Sequence, residues 1–182
     1  WNTANDAATI MLNAIDNNVN LYVTNYPWYS GVYTYNYKQQ IVMLAQLNNL
    51  GETTATNIVV NYVIGSAFKV VSYNLIQPGI LSFNSTTNTF TWTIPNLAGG
   101  NNTYTGSYAS FSVLLESLQT GSGGSAFQTT STIISSDQTN TGTTTTRTRN
   151  LIINPSADIQ TTQTVNNPNP QTGDYITITI KA

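Results

Sequence analysis

The chain predicts an all-β sandwich, on three observations. Runs rich in Val, Ile, Thr, Tyr, Phe and Trp recur with Gly, Pro, Asn and Ser between them, at a spacing of roughly 8–12 residues. Several of these runs alternate apolar and polar residues, the two-residue period of a half-buried strand. Across residues 54–118, the stretch around which the remainder is arranged, nothing asks for a helix. The 182 residues are 40% hydrophobic, enough for one sizeable core or one core plus part of a second.

In chain order, Ala8, Met11, Leu12, Ile15 and Val19 fall close to i, i+3, i+4, i+7 spacing. This predicts a short amphipathic helix ended by Asp16-Asn17-Asn18, packing on the sandwich or docking on another subunit. Asn13, Asp16, Asn17 and Asn18 within the same stretch argue against membrane insertion. Leu21-Tyr22-Val23-Thr24 reads as a first strand, followed by an aromatic loop at 25–31 broken by Pro27 and Gly31. Tyr33, Tyr35 and Tyr37 alternate with Thr34 and Asn36, so their rings share one face of a strand. Cross-strand packing with wet hydroxyls is one reading of that ladder. An aromatic platform for carbohydrate, formed by Trp28, Tyr29, Tyr33 and Tyr35, is the other.

Residues 39–47 form a stronger strand, with Ile41, Met43, Ala45 and Leu47 on one side and a turn at 48–51. Strands follow at 55–63 and 68–75, then a turn at Gln77-Pro78-Gly79 and a strand at 81–83. A polar turn at 84–88 leads to strands at 89–94 and 109–118. The Gly/Ser stretch at 119–125 is a flexible loop or hairpin tip. A strand at 127–134 precedes the Thr-rich segment 137–149, where Arg147 and Arg149 alternate with Thr as in an edge strand with outward charges. Leu151-Ile152-Ile153 closes this domain, and Asn154-Pro155-Ser156 marks its boundary.

Charge excludes several function classes. Only 7% of residues are charged, with five Lys and Arg against seven Asp and Glu and a net charge of −2. That leaves no basic stripe for nucleic acid and no polybasic patch for anionic lipid. Polarity comes instead from 31 Thr and 24 Asn, whose hydroxyls and amides salt does not screen. No apolar run approaches the ~20 residues that span a bilayer.

His and Cys are both absent, which removes the usual general base, the commonest nitrogen metal ligand and every thiolate. The carboxylates Asp6, Asp16, Glu52, Glu116, Asp137, Asp158 and Asp174 include no pair close in sequence, so spacing proposes no acid/base couple. No calcium loop and no phosphate-binding loop occurs, so no cofactor and no catalytic residue is expected. An isopeptide crosslink from Lys38 or Lys69 to an Asn, assisted by Glu116, competes with a plain reading. Glu116 lies opposite Phe111, Val113 and Leu115 on its strand and faces outward as a solvated carboxylate. Asn84-Ser85-Thr86 and Asn101-Asn102-Thr103 are glycosylation sequons on predicted loops.

Several segments, taken in order, resemble a repeat of prokaryotic surface proteins. They are Thr56-Asn57-Ile58-Val59-Val60, Gly79-Ile80-Leu81-Ser82-Phe83, Trp92-Thr93-Ile94 with Leu97-Ala98-Gly99-Gly100, Ser135-Ser136-Asp137-Gln138-Thr139 and Pro155-Ser156-Ala157-Asp158-Ile159. The family is the immunoglobulin-like tandem repeat known as domain of unknown function eleven, found on archaeal and bacterial cell surfaces. Similarity covers roughly residues 40–182 and departs at the front, in the Tyr-rich segment 21–40. It implies an immunoglobulin-like sandwich, an extracellular location and no catalytic activity. The expected organisation is an N-terminal helix-and-strand extension at 1–39, a sandwich at 40–154, and at 155–182 the start of a second repeat or a donor segment.

That last segment supplies two strands, 159–165 and 175–181. Alternating Ile176, Ile178 and Ile180 give the pair an apolar face beside an unpaired edge, and with Tyr175 they are the expected donor residues. A lone strand pair is marginal in water, so it must find a partner. It is a piece of a tandem array, it folds back on its own sandwich, or it completes the sheet of the next subunit by strand addition. The last option makes a filament of identical subunits, because a head-to-tail contact that does not close propagates. The functional expectation is therefore a structural subunit of an extracellular filament or surface layer, with a surface adhesin that binds glycans as the alternative.

Overall fold

The computed structural model describes residues 17–29, 31, 33–100, 107–156 and 162–181. Its strands in chain order begin with β1 (Asn18–Val19), β2 (Leu21–Pro27), β3 (Thr34–Asn36), β4 (Gln40–Asn49) and β5 (Ala55–Ile64). They continue with β6 (Phe68–Leu75), β7 (Ile80–Asn84), β8 (Thr89–Leu97), β9 (Tyr108–Ser117) and β10 (Gln128–Ser135). The last are β11 (Thr139–Asn140), β12 (Thr146–Asn150), β13 (Ile152–Asn154), β14 (Thr162–Val165) and β15 (Ile178–Lys181).

Side-chain alternation sorts these strands into layers. In β4, Ile41, Met43, Ala45 and Leu47 are buried while Val42, Leu44 and Gln46 turn to the other face. β2, β8 and β9 repeat the pattern with Leu21 and Val23, with Phe90, Trp92 and Ile94, and with Phe111, Val113 and Leu115. Two antiparallel sheets result, a four-stranded one in the order β2-β4-β9-β6 and a five-stranded one in the order β12-β10-β5-β8-β7. They pack face to face as an immunoglobulin-like sandwich. Phe111 of the first sheet meets three rings of the second: Trp92 at 5.0 Å, Tyr62 at 5.6 Å and Phe90 at 5.7 Å between centroids. Such tilted and edge-on contacts each add about 0.5–1.5 kcal/mol beyond the area they bury.

One side of the sandwich is closed by polar groups. Asn25 on β2 is fully buried, and its Nδ2 donates to the carbonyls of Arg147 at 2.8 Å and Thr129 at 3.3 Å. Arg149 Nε donates back to the Asn25 carbonyl at 2.8 Å. This corrects the expectation for the Thr-rich edge strand. In β12, Thr146 and Thr148 are exposed and the arginines are half-buried, sharing a face with Thr129 and Ser131 of β10. The reversal follows from β2 lying alongside, whose backbone carbonyl needs a donor that a threonine methyl face would not supply.

Two short parallel pairs complete the body, β1 with β11 and β3 with β13. Val19, assigned by its spacing to a helix, lies fully buried in β1 instead. Its carbonyl accepts from the Thr141 N–H at 2.8 Å, so a neighbouring chain segment satisfies it where a helical turn would have. Ala8, Met11, Leu12 and Ile15 of that expected helix lie outside the described residues. Within the stretch that the sequence sets apart as an extension, β2 is a sheet strand and β3 pairs with residues 152–154.

The opposite side of the sandwich is open. Among the described residues β6 pairs only with β9 and β7 only with β8, so the two edge strands face each other without a ladder between them. The connection from β6 to β7 passes Gly79, whose φ of +148° and whose Trp92 Nε1 neighbour, 2.7 Å from where a Cβ would sit, leave room for no side chain.

Candidate functional site

The open side presents a seam of apolar side chains. Val70, Leu75, Leu81 and Phe83 pack against the core yet remain only partly buried. Tyr73 of β6 is 48% exposed and leans on Phe90 at 4.9 Å, while Phe83 stacks on Phe90 at 4.5 Å. At one end a cleft of about 340 Å³ opens between the edges, lined by Phe68, Val70, Phe83 and Asn88 among others. Along both edges, alternate backbone N–H and C=O groups point outward with no strand among the described residues to receive them. Sequence reasoning placed the strands but missed the seam, because edge and central strands carry the same alternation.

β14 and β15 pair with each other in antiparallel register, Thr162 opposite Lys181 through Val165 opposite Ile178. Neither joins a sheet of the body, so the expectation that this segment folds back to complete its own sandwich is not met. All eight residues of the two strands are exposed. Tyr175, Ile176, Ile178 and Ile180, the expected donor residues, are 95%, 48%, 56% and 69% exposed. β15 is shorter than the expected 175–181, and residues 159–161 of the other expected strand lie outside the described residues. Tyr175, Ile176 and Thr177 precede β15, with Asn166 Oδ1 accepting from the Thr177 N–H at 2.8 Å.

The expected aromatic platform is not assembled as a unit. Trp28 and Tyr29 are exposed, whereas Tyr35 is buried and Tyr33 packs against the core. The cause is the pairing of β3 with β13, which lays Tyr35 alongside Ile153. Burial also pushes the Tyr35 phenol above its ordinary value, helped by the neighbouring Tyr33. A different aromatic cluster stands on the outer face of the four-stranded sheet. Tyr26, Trp28 and Tyr108 surround a cleft of about 340 Å³ floored by Leu44, Gln46 and Ser110. The sequence reads Tyr26 and Trp28 together as an aromatic loop, whereas Tyr26 lies in β2 and Trp28 follows its last residue. Tyr108 carries no such signal, since its approach depends on the pairing of β9 with β4.

Asn84 is exposed at the end of β7, its Oδ1 accepting from the Thr86 N–H at 2.9 Å. Asn101, the other sequon, lies outside the described residues. Lys69 Nζ meets Glu116 at 2.7 Å on the outer face of the sheet, so the outward carboxylate read from the sequence is where it was expected. Lys38 sits over the Tyr37 ring at 5.5 Å. Among the described residues no three His, Cys, Asp or Glu side chains gather, and no helix is long and apolar enough to cross a membrane.

The chain matches no family model and no curated protein. Among solved structures it is similar to a cohesin module of a family 33 glycoside hydrolase from Clostridium perfringens, at TM-score 0.47 and 7% identity, covering 76% of this chain and 98% of that one. It is also similar to a type I cohesin–dockerin complex from Clostridium thermocellum, at TM-score 0.49 and 9% identity over 74% and 99% of the two chains. A collagen-binding domain from a Staphylococcus aureus adhesin gives 0.44 and 13% over 72% and 96%. The sandwich assignment rests on the strand pairing, and nothing about ligand or partner follows from these likenesses.

Proposed function

We propose that this protein is a structural subunit of an extracellular filament or surface layer, in which the C-terminal segment of one copy completes the open seam of the next. The observation that carries the reading is the coexistence of two unsatisfied surfaces on one chain. One is a strand pair with an exposed isoleucine face, and the other is a pair of unladdered edges flanked by half-buried aromatic rings. The two surfaces differ, so their contact is head-to-tail and repeats without closing. Residues 175–181 in extended form span about 23 Å, enough to run along either edge strand.

Magnitudes indicate what the contact must include. Burying three isoleucines is worth about 1.5–3 kcal/mol each, or roughly 5–9 kcal/mol together. Association costs an estimated 4–15 kcal/mol in lost freedom. The isoleucines alone offset that cost only toward its lower end. The contact must also cover Tyr73 and Phe83 and form a backbone ladder along the edge. A charged content of 7% suits such an interface, and exposed Asn84 suits a glycan that shields a weakly charged surface. The resemblance to the tandem surface repeat belongs to this same proposal, as does a role without catalysis.

The test is assembly of the full chain against two variants, one lacking residues 158–182 and one carrying Ile178→Lys. Negative-stain microscopy and sedimentation of the full chain should give fibres, and both variants should give monomers. The melting temperature of the Ile178→Lys body should move by less than about 2 °C, since an exposed substitution costs under ~0.5 kcal/mol. Fibres of unchanged length distribution from the truncated chain would falsify the strand-completion reading. A full chain that stays monomeric would favour a piece of a tandem array instead.

A further inference from the structure

We propose that the outer face of the four-stranded sheet is a binding site for a neutral polysaccharide, with the rings of Tyr26, Trp28 and Tyr108 stacking on sugar units and Gln46 contacting their hydroxyls. The register builds the site. Tyr26 stands beside Leu44, Gln46 beside Ser110, and Asn48 beside Tyr108 across β2, β4 and β9, with Trp28 bonded through its N–H to the Val42 carbonyl at 2.8 Å. Ile76 of the β6–β7 connection closes the far wall. Trp28 is 54% and Tyr108 42% exposed, so both present ring surface to solvent.

The polar groups are oriented in advance. Tyr26 Oη donates to Gln46 Oε1 at 3.0 Å, and Gln46 Nε2 donates to Asn48 Oδ1 at 2.9 Å. That chain fixes the Gln46 amide and leaves one of its two N–H groups uncommitted. Burial, and then the nearby Tyr108, hold the Tyr26 phenol above its ordinary value, so it stays a neutral hydroxyl at any physiological pH.

Two features select the ligand class. β4 and β9 are each paired on both sides, so their backbone groups are committed to the ladder and offer nothing to an added peptide strand. Recognition here falls to side chains alone, and those are aromatic rings, amides and hydroxyls, groups that match the C–H faces and hydroxyls of a sugar. Between Tyr22 and Asn74 the face carries, among the described residues, no charged side chain until the Lys69–Glu116 pair at its far end. An acidic glycan would find no cation beside the rings. The site opens on the outer face of the sheet, touches the β6–β7 connection only through Ile76, and does not depend on the filament reading.

The experiment titrates the full chain with cellohexaose, maltohexaose, mannohexaose and chitohexaose, following tryptophan fluorescence and heat. At least one should saturate with a dissociation constant below about 5 mM. Its affinity should be unchanged between 0.05 and 1 M NaCl. Trp28→Ala and Tyr108→Ala should each weaken it at least tenfold while circular dichroism stays native. Tyr29→Ala, exposed but outside the cleft, should leave it within twofold. Absence of saturation with all four sugars overturns the proposal, as does an unaltered affinity in Trp28→Ala. Loss of self-association in Trp28→Ala without any sugar binding would make the face a protein interface and overturn it equally. Assembly measured on the same Trp28→Ala sample keeps this outcome separate from failure of the filament reading.

Discussion

Asn25 is the residue on which the closed side of the sandwich depends. Its amide bonds the Arg147 and Thr129 carbonyls and lies 3.3 Å from Ser131 Oγ, while its own carbonyl takes Arg149. Replacing it by Ala leaves two buried carbonyls short of a donor, at about 1–3 kcal/mol each. Asn25→Ala should therefore lose about 2–4 kcal/mol in urea unfolding with an unchanged m-value, and Ser131→Ala should lose about 1 kcal/mol or less. Tyr62 supplies a pH test. It is fully buried, and desolvation raises its phenol pKa far above the ordinary 10.0. A raised folded pKa means the contribution is fully present below pH ~10 and is lost as pH climbs through the interval above it. Stability should be flat from Tyr62 up to pH ~10, then fall by about 1.4 kcal/mol per pH unit, and Tyr62→Phe should remove that slope. Neither residue announces itself in the sequence. An Asn before Tyr-Pro-Trp reads as a turn, and a Tyr in a strand does not say which face is sealed.

Elements were legible where side chains alternate over five or more residues. The buried faces of β4, β8 and β9 follow directly from Ile41 to Leu47, from Phe90 to Ile94 and from Phe111 to Leu115. The polar turn at 84–88 was equally plain, and Asn88 there takes a φ of +51° and reaches three carbonyls, of Ile64, Gly65 and Phe68. What failed was short or long-range. β1, β11, β3 and β13 hold two or three residues each, too few for a period, and their parallel pairing joins residues more than a hundred positions apart. Val19 consequently read as helix and Tyr35 as a platform ring. The facing of Arg147 and Arg149 was reversed for a related reason, since an edge strand looks outward only until another strand is laid against it. The aromatic cleft shares this limit: Tyr26 lies in β2 and Trp28 just past its end, and Tyr108 arrives by way of β4.

At the scale of the whole molecule, charge is nearly absent from the forces that hold the fold. Among the described residues one ion pair joins side chains, Lys69 with Glu116, with side chains 50% and 24% exposed. A pair so placed is worth about 0–1 kcal/mol at most. Cohesion rests instead on the ring cluster about Phe111, the backbone ladders and neutral hydrogen bonds such as those of Asn25. None of these responds to ionic screening, whose length shrinks from ~10 Å at 0.1 M to ~3 Å at 1 M salt. The melting temperature should therefore differ by less than about 3 °C between 0.05 and 1 M NaCl, since losing the pair entirely removes no more than ~1 kcal/mol. Chloride is the salt to use, because sulfate strengthens apolar burial on its own account. The same logic extends to the proposed polymer. A seam of Tyr73 and Phe83 covered by isoleucines and a backbone ladder is mostly uncharged, with Lys69 in the lining of its cleft and Lys181 at the end of β15, both exposed to solvent, so fibre length should change little with NaCl. Fibres that dissolve at 1 M NaCl while the melting temperature holds would place the subunit contact on charged residues, and the β6/β7 seam would then not be where the chains meet.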